Sequence, residues 1–598
     1  MSDDDAQPRP RGRLDRRGFL AAGGALTAAA LGVDGLRAGA APAKPGRVGP
    51  YRGGRRPNIL VIVVDELRTP RWFGAGRHAS AVLPPAMAAL EREGASFRRH
   101  YTVSNDCSPS RAALVTGLYT HQTGCMITGS STLDPGFPTW GTMLREQGYG
   151  TWWFGKWHLT ANDRYWNPAT GPVALERYGF DGGTFPSPNG APGQGWTADG
   201  QIADQFARWL DSSAAASSRP WCTTVSFVNP HDIAWWWRWS SRFPTEATAP
   251  PLIRALPPNF ETPAELELRG KPRLQHSLMD TSAVSFGAVP YSGPAVAESW
   301  LPFLDLYVLL QRAVDRHVAS VLAALARHPR TLENTVVVFT SDHGEYGGSH
   351  GLRGKGAGVY DEAIRVPLIV TDFSRRLGVV PGLRDQLTAS VDVAPMLLTI
   401  AAGSGDWRTD PAYAQLADRA DLFALVRDPG APGRDWVLHA TDEVVTEFAL
   451  LPYAAHAPLH VAALITPTHK FATYSHWQHG TLDPLLETQE VELYDHTTAD
   501  GRLELSNQTG RSAQEDTLRS MLRGAVHSEL RAPLPPRLTA AQATGLYEYH
   551  SLAAHERVSS AVYRMNQVEQ IVREFESRLP AAAPAGAPTP AAVAPAAG

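Results

Sequence analysis

The sequence predicts an α/β fold with a mixed, mostly parallel central sheet and helices on both faces. One observation is a set of continuous apolar, β-branched runs such as NILVIVV at 58–64, typical of parallel strands buried on both faces. Another is that these runs alternate with segments of helical character. The third is size: 598 residues with 43% hydrophobic and 19% charged side chains can bury a large core and form more than one domain.

The predicted elements follow one another along most of the chain. A strand at 58–64 is followed by a helix at 84–94, which Gly94 ends. The later predicted strands are 149–155, 223–228, 334–340 and 365–371. The later predicted helices are 138–148, 297–328 and 391–403.

The N-terminal segment reads as an export signal rather than as part of the fold. Arg16 and Arg17 precede a short, weakly apolar run, and Ala38–Ala40 supplies a small-residue cleavage site. We therefore predict a twin-arginine signal peptide at 1–40, with the mature protein in the periplasm, the cell wall or the medium. The alternative is a basic disordered leader. The apolar run is too short for a stable membrane span, and 41–55 has the composition of a linker.

Overall composition excludes several classes of protein. A net charge of −4 gives no support for binding to nucleic acid or to an anionic membrane. The three cysteines are too few for a disulfide framework. No repeat of fixed period suggests a solenoid or a propeller.

Polar side chains follow four of the predicted strands at the point where each strand ends. Ligands of open α/β sheets bind beyond the carboxyl ends of the strands, so these side chains are expected to converge on one site. Each alone has a structural explanation, such as a helix cap, a turn residue or a buried histidine. Taken together they predict a functional site. They are Asp65 and Glu66, Lys156 and His158, His231 and Asp232, and Asp342 and His343.

The stretch NDCSPSRAALVTG, residues 105–117, places Cys107 just before a predicted helix. Pro109 suits the first turn of that helix. Backbone N–H groups and the dipole at a helix N-terminus favour anions. With Arg111 one turn further on, Cys107 is a candidate for a reactive or modified side chain rather than a buried apolar one.

These motifs together resemble the sulfatase family of the alkaline-phosphatase-like superfamily. The resemblance rests on VDE after the first strand, CSPSR, GKWH, NPHD, SDHGE and GKGAGVYDEAIRVPLIV, and it spans about residues 57–510. It implies an α/β catalytic domain at 56–430 and a smaller C-terminal α+β subdomain at 431–535. Beyond that pattern lie a helical extension at 536–579, a candidate for self-association, and an Ala/Pro-rich tail at 580–598 that is expected to be disordered.

The resemblance also implies the roles of the site residues. Cys107 would be converted to formylglycine, whose hydrated aldehyde is the nucleophile, and Arg111 would steady its oxygens. One divalent cation would be held by Asp65, Asp342, His343 and the oxygens of residue 107, with Glu66 as a further candidate ligand. Lys156, His158, His231 and Lys355 would surround the sulfate.

The implied chemistry fits these residue types. One hydroxyl of the hydrated aldehyde attacks sulfur while His231 or Lys355 protonates the departing alcohol. His158 then takes a proton from the second hydroxyl, which expels sulfate. The metal and the fixed cations neutralise the growing negative charge.

Two departures from the family pattern bear on the metal. Glu66 stands where many members have Asp, and its longer side chain changes its reach. The final ligand pair is Asp342–His343, where several sulfatases have Asp–Asn. Oxygen-rich sites suit Ca²⁺, which we predict, while an imidazole also suits Mn²⁺; Mg²⁺ is a further alternative.

Three functions therefore remain open. The first is an exported, arylsulfatase-like hydrolase of a small-molecule, glycan or aryl sulfate ester. It would depend on a formylglycine-generating enzyme and the twin-arginine translocase for maturation. The second is a phosphonate monoester or phosphodiester hydrolase of the same superfamily, and the third is a non-catalytic binding protein with an unmodified Cys107. The tryptophans at 235–237 and 239 form an apolar wall for an aromatic substrate or pack against a surface loop.

Overall fold

The computed structural model describes residues 56–69, 84–160, 173–184, 187–238, 252–478, 481 and 483–559, with a few positions between 564 and 573. The predicted signal peptide, linker and tail lie outside the described residues, as does most of 560–579. Among the helices that the structure describes, none is long and apolar enough to cross a bilayer.

The centre of the molecule is an eight-stranded sheet in the order β5-β4-β6-β1-β7-β8-β2-β9. β8 runs antiparallel to both of its neighbours, and the other pairs in the sheet are parallel. The predicted mixed, mostly parallel sheet is thereby confirmed. Its strands are β1 (Asn58–Val64), β2 (Ala95–Phe97), β4 (Gly150–Gly155), β5 (Asp181–Gly182), β6 (Trp221–Phe227), β7 (Thr335–Ser341), β8 (Leu368–Asp372) and β9 (Gly382–Arg384), while β3 (His100–Tyr101) pairs separately with β10 (Thr388–Ala389).

Sixteen α-helices have both of their ends within the described residues. They are α1 (Pro85–Glu93), α2 (Cys107–Thr116), α3 (Thr120–Thr123), α4 (Trp140–Glu146), α5 (Val173–Glu176), α6 (Gln194–Trp209), α7 (Pro263–Leu268), α8 (Arg273–Phe286), α9 (Ala295–Ala326), α10 (Pro329–Leu332), α11 (Asp361–Ile364), α12 (Val393–Ala402), α13 (Leu422–Arg427), α14 (Ala499–Arg502), α15 (Glu515–Ala525) and α16 (Pro536–Val558).

Both faces of the central sheet are covered by helices, as the apolar strands predict. Successive residues of a strand point to opposite faces, and β1 follows this rule. Ile59, Val61 and Val63 pack with residues of α2, α4 and α12. The intervening residues of β1 pack on the other side with α1, α6 and α9. This two-sided burial explains why the strand is a continuous apolar run.

Most predicted elements match the structure, and the differences lie at their ends. The strand predicted at 365–371 is Leu368–Asp372, because Pro367 has no N–H group to donate to a ladder. The helix predicted at 391–403 is preceded by a 3₁₀ turn at Ser390–Asp392 and begins at Val393. The long helix is shifted by two residues, to Ala295–Ala326.

The C-terminal part contains a second, antiparallel sheet in the order β11-β12-β13-β14. α15 packs on it through Leu518 and Leu522, which completes the predicted α+β subdomain. The helix α16 lies within the predicted extension and packs against α3, where Gly545 approaches the backbone of Gly124 so closely that a Cβ would clash. The strands are β11 (Val437–Thr441), β12 (His460–Ile465), β13 (His469–Trp477) and β14 (Pro484–Asp495).

Candidate active site

The polar residues predicted to converge come from four strands that are neighbours in the sheet. β4, β6, β1 and β7 lie side by side and run parallel. Their carboxyl ends therefore meet at one edge, where a ligand is expected in such sheets. Lys156, His231, Asp65 and Asp342 each follow one of these strands, and all four side chains are buried.

Cys107 is the first residue of α2, and its side chain contacts residues at this edge of the sheet. Asp106 caps the helix, because its carboxylate accepts a hydrogen bond of 2.9 Å from the Cys107 backbone N–H. Gly117 ends the helix in the left-handed conformation, with φ +72°, which suits glycine. The cap and the short helix fix residue 107 at a helix N-terminus, as the sequence predicts.

The Cys107 thiol touches groups from three of the four strand ends. Its Sγ lies 3.1 Å from His343 Nε2, 3.6 Å from Lys156 Nζ and 3.7 Å from Asp65 Oδ1. Burial and the nearby Asp65 carboxylate raise the pKa of Cys107 well above its ordinary value, despite the opposing lysines. The unmodified side chain is therefore a neutral thiol, which is a poor nucleophile.

Four of the predicted metal ligands form one buried cluster. The ligand atoms of Asp65, Cys107, Asp342 and His343 all lie within 4.8 Å of one another. The Nδ1 atom of His343 faces the Gly344 carbonyl oxygen at 3.0 Å, and its Nε2 atom is directed at the cluster. Two carboxylates and an imidazole form a suitable donor set for a divalent cation.

The charges around Asp65 keep it ready to bind a cation. Its Oδ2 lies 2.6 Å from Lys156 Nζ and 3.2 Å from the guanidinium of Arg111. Burial raises the pKa of Asp65, but Lys156 and Arg111 outweigh it, so the pKa lies well below its ordinary value. An ionised carboxylate at this position is the protonation state that metal binding requires.

Glu66 does not join the four-residue cluster. Its Oε2 lies 3.0 Å from Lys355 Nζ and 3.9 Å from His231 Nε2, beside two of the residues that are predicted to surround the sulfate. Burial raises its pKa well above the ordinary value, against the effect of Lys355. Glu66 and His158 both have positive φ angles, +61° and +59°, a strained conformation that is concentrated at functional sites. Whether Glu66 is a metal ligand stays a prediction.

The residues predicted to surround sulfate do come together, and they enclose a carboxylate that the sequence analysis missed. Glu447 Oε1 lies 3.2 Å from His158 Nε2, and its Oε2 lies 3.2 Å from His231 Nε2 and 3.6 Å from Lys355 Nζ. The same oxygen is 3.4 Å from Cys107 Sγ. Glu447 comes from the segment between β11 and β12, which has no periodic pattern; its only signal was a short acidic run, DEVVTE at 442–447.

A cavity borders His231, Lys355 and Glu447. Its walls combine the charged groups with aromatic and small apolar side chains. The lining residues are His231, Ile233, Ala234, Trp236, Ser282, Phe286, Phe303, Arg353, Gly354, Lys355, Thr446, Glu447 and Phe448. The lining therefore combines charged and apolar side chains, as expected for an anion attached to an organic group.

The tryptophans after β6 have separate roles in this wall. Trp235 is buried, packs against Phe448 at a tilt of 40° with 4.8 Å between ring centroids, and donates to the Gly190 carbonyl oxygen at 2.6 Å. Trp236 lines the cavity, while Trp237 is 41% exposed. The fourth tryptophan, at 239, lies outside the described residues. Packing thus accounts for Trp235, and Trp236 is available to a substrate.

Comparisons with known proteins agree with this geometry. The chain is 28% identical over 372 residues to the uncharacterized sulfatase YidJ of Escherichia coli, covering 58% of this chain and 68% of that protein. It is 26% identical over 420 residues to a choline-sulfatase of Rhizobium meliloti, covering 62% and 76%. A phosphonate monoester hydrolase from Silicibacter pomeroyi shares the fold, with a TM-score of 0.60 at 22% identity over 80% of this chain and 96% of that one. The model of the sulfatase family matches residues 57–404, more than half of the chain. The protein therefore belongs to the sulfatase family and is a sulfatase enzyme.

Proposed function

We propose that the protein hydrolyses a sulfate monoester with a formylglycine derived from Cys107 as nucleophile. The observation that carries this proposal is the position of residue 107. Residue 107 is the first residue of α2, and its side chain lies in the cluster of proposed metal ligands and next to Lys156. One atom attached to Cβ therefore reaches both the proposed cation site and the proposed anion site. A hydrated aldehyde at this position would supply one oxygen for attack on sulfur and a second for release of sulfate.

A divalent cation, for which Ca²⁺ is our choice, would be held by Asp65, Asp342 and His343. It would supply a positive charge that polarises the sulfate oxygens. Arg111 lies between both carboxylates, 3.2 Å from Asp65 Oδ2 and 2.8 Å from Asp342 Oδ2, and so fixes their orientation. These residues thus bind and orient the reacting groups.

One lysine and two histidines are candidates for the proton transfers, and their protonation states indicate which of them acts in each step. Burial opposes the charge of Lys355, but its acidic neighbours, which include the ionised Glu447 carboxylate 3.6 Å away, raise its pKa well above the ordinary value. Burial, helped by Lys156 and Lys355, lowers the pKa of His231 to about 4. Lys355 is therefore the charged donor available to the departing alcohol near neutral pH. His158, on the opposite side of Glu447, is the proposed base for the second step.

A second candidate function is hydrolysis of phosphonate monoesters or phosphodiesters. The Asp342–His343 pair at the end of β7 favours it, because this acid–imidazole pair departs from the Asp–Asn pair of several sulfatases. The shared fold of the Silicibacter phosphonate monoester hydrolase agrees with this possibility. A site built for one tetrahedral anion can accept the other, so the two functions differ in rate rather than in geometry.

A panel of esters that share the 4-nitrophenol leaving group distinguishes the two candidate functions. We would measure kcat/KM for 4-nitrophenyl sulfate, 4-nitrophenyl phenylphosphonate and bis(4-nitrophenyl) phosphate, with Cys107→Ala as the matched inactive control. The sulfate ester should have the highest kcat/KM, and the control should lose turnover of all three. Preference for a phosphorus ester would favour the second candidate. Absence of turnover with every ester, in a metal-loaded protein that carries formylglycine, would reject the proposal.

The proposed maturation follows from the same residues and from the N-terminal segment. A formylglycine-generating enzyme would act on the CSPSR motif in the cytoplasm, before the helix that begins at Cys107 is buried. A twin-arginine translocase would then export the folded protein, addressed by Arg16 and Arg17. Self-association through the extension at 536–579 remains part of this proposal.

A further inference from the structure

A second group of potential metal ligands lies outside the candidate active site. His121 comes from α3, Asp442 follows β11, and His460 is the first residue of β12. Their ligand atoms lie within 4.8 Å of one another, and all three side chains are at least nine-tenths buried. Asp442 is also the residue whose backbone carbonyl accepts a hydrogen bond from Tyr549 of α16. The cluster thus lies where the catalytic domain, the C-terminal sheet and the extension meet.

The contacts within the cluster converge on the carboxylate of Asp442. His460 Nδ1 lies 2.8 Å from Asp442 Oδ1. His121 Nε2 lies 2.7 Å from Asp442 Oδ2. Each carboxylate oxygen therefore faces one imidazole nitrogen, and a cation between these groups would take the place of the shared protons.

The charge balance supports the same interpretation. Among the described residues, the ion-pair partners of Asp442 are the two imidazoles. No Lys or Arg side chain in the described part of the chain pairs with this buried carboxylate, so a metal ion held by Asp442 and the two imidazoles would supply a fixed positive charge beside it.

The surroundings hold the two imidazoles in place. His460 stacks on Trp477 with 3.7 Å between ring centroids, and Trp477 also meets the edge of His121 at 5.8 Å. Ligands that are locked by packing bind a metal with little reorganisation. On a tetrahedral zinc ion, neighbouring ligand atoms are about 3.3 Å apart, which is within the 4.8 Å that encloses the ligand atoms of this cluster.

We propose that His121, Asp442 and His460 form a second metal site that binds Zn²⁺ or a similar transition-metal ion. Two nitrogen donors and one carboxylate favour such an ion over Ca²⁺ or Mg²⁺, and a water completes the coordination. The ion joins α3 to the C-terminal sheet, beside the anchor of α16. It is a structural cation, separate from the cation of the active site.

Zinc stoichiometry tests this proposal on the untagged full chain. The protein is stripped with a chelator and dialysed against Zn²⁺ with Ca²⁺ in excess, and bound zinc is measured by elemental analysis. Wild type should bind one equivalent more than His460→Gln, which keeps a donor toward Asp442. The matched control, His469→Gln in β13, should bind as much zinc as wild type. Bound Co²⁺ should give visible absorption in wild type that His460→Gln lacks.

Folding of the variant is checked by circular dichroism. If His460→Gln does not fold, His121→Gln takes its place and should show the same loss. Zinc should also raise the unfolding temperature of wild type and of the control, but not that of the folded variant. Equal zinc content in wild type and both variants would overturn the site, and so would a wild-type protein whose unfolding temperature does not respond to zinc.

Discussion

The guanidinium of Arg111 lies between two carboxylates, with its Nε 2.8 Å from Asp342 Oδ2. The second carboxylate is that of Asp65, and Arg111 also donates to the Lys156 carbonyl oxygen at 2.9 Å. One residue of α2 is therefore tied to the ends of β1, β4 and β7. Because all of these groups are buried, the helix that carries Cys107 cannot move without breaking charged contacts.

The first prediction concerns the cation. Asp342→Asn keeps the size of the side chain but removes one charged ligand and the ion pair with Arg111. We expect kcat to fall by about 10³-fold or more, since the metal supplies several kcal/mol of charge stabilisation. Elemental analysis should show loss of the active-site ion. Asp204→Asn, an exposed change on α6, is the control and should keep both the kcat of wild type and the active-site ion. Retention of full activity by the metal-free variant would contradict the prediction.

The second prediction concerns Glu447, whose carboxylate lies among the proposed sulfate-binding cations. Burial opposes its ionisation, but His158 and Lys156 outweigh it, so its pKa lies well below the ordinary value and it is charged near pH 7. This charge competes with sulfate for the same cations. Glu447→Gln should therefore lower the inhibition constant of inorganic sulfate by about tenfold, a change of about 1.4 kcal/mol.

The neighbouring Glu443 offers a matched control for that measurement. Glu443 accepts a hydrogen bond of 2.8 Å from the Thr128 backbone N–H, and among the described residues it forms no ion pair with the proposed sulfate-binding cations. Glu443→Gln keeps this acceptor and should leave sulfate inhibition unchanged. Weaker sulfate inhibition in Glu447→Gln would mean that Glu447 mainly positions His158 and His231 instead of competing with the anion.

The sequence predicted the strand ends well because each motif follows a buried strand directly. β1 leads to Asp65 and β7 to Asp342, so the sheet order alone brings them together. Glu447 could not be found in this way. It reaches the site from a segment without regular structure, and its position depends on how the C-terminal part packs on the catalytic domain. The same limit applies to Glu66, whose neighbour Lys355 is 289 residues away along the chain.

The third prediction concerns acid stability. His100 in β3 is fully buried, and burial lowers its pKa from about 6.5 to about 4, although Asp392 acts in the opposite direction. The unfolded chain therefore binds this proton at a higher pH than the folded chain does. The contribution of His100 to the free energy of unfolding is present above pH 6.5 and is lost as pH falls toward 4. The difference of roughly 2.5 in pKa corresponds to about 3 kcal/mol.

Urea unfolding at pH 7 and at pH 4.5 measures this effect. His100→Gln can keep the contact with Thr388 Oγ1, which lies 3.0 Å from His100 Nδ1, but it cannot titrate. The free energy of unfolding of this variant should fall less between the two pH values than that of wild type. His469→Gln, which removes a partly exposed histidine, should show the same change in the free energy of unfolding between the two pH values as wild type. An identical pH dependence in wild type and His100→Gln would rule out the assignment.

The fourth prediction concerns the twin arginine. Replacing Arg16 and Arg17 with Lys keeps the charge of the segment, but a receptor that reads the arginine pair no longer recognises it. Precursor should then accumulate in the cytoplasm, as measured by fractionation and immunoblotting. Replacing Arg11 and Arg13 with Lys is the matched control and should leave export intact. Normal export of the Arg16/Arg17 variant would argue against this route.

The fifth prediction is that residue 107 is a formylglycine in the active protein. The buried, neutral thiol of Cys107 is poorly suited to attack sulfur, whereas a hydrated aldehyde has two hydroxyl groups. Cys107→Ser should fold and bind the cation but fail to turn over, because a single hydroxyl that attacks sulfur leaves a sulfate ester with no second hydroxyl to expel it. Mass spectrometry of that variant should show sulfated serine after incubation with substrate. For wild type, the tryptic peptide from His100 to Arg111 should carry an aldehyde in place of the thiol. An unmodified thiol throughout a fully active preparation would contradict this prediction, because the Cys107 thiol would then have to carry out both the attack on the ester and the release of sulfate.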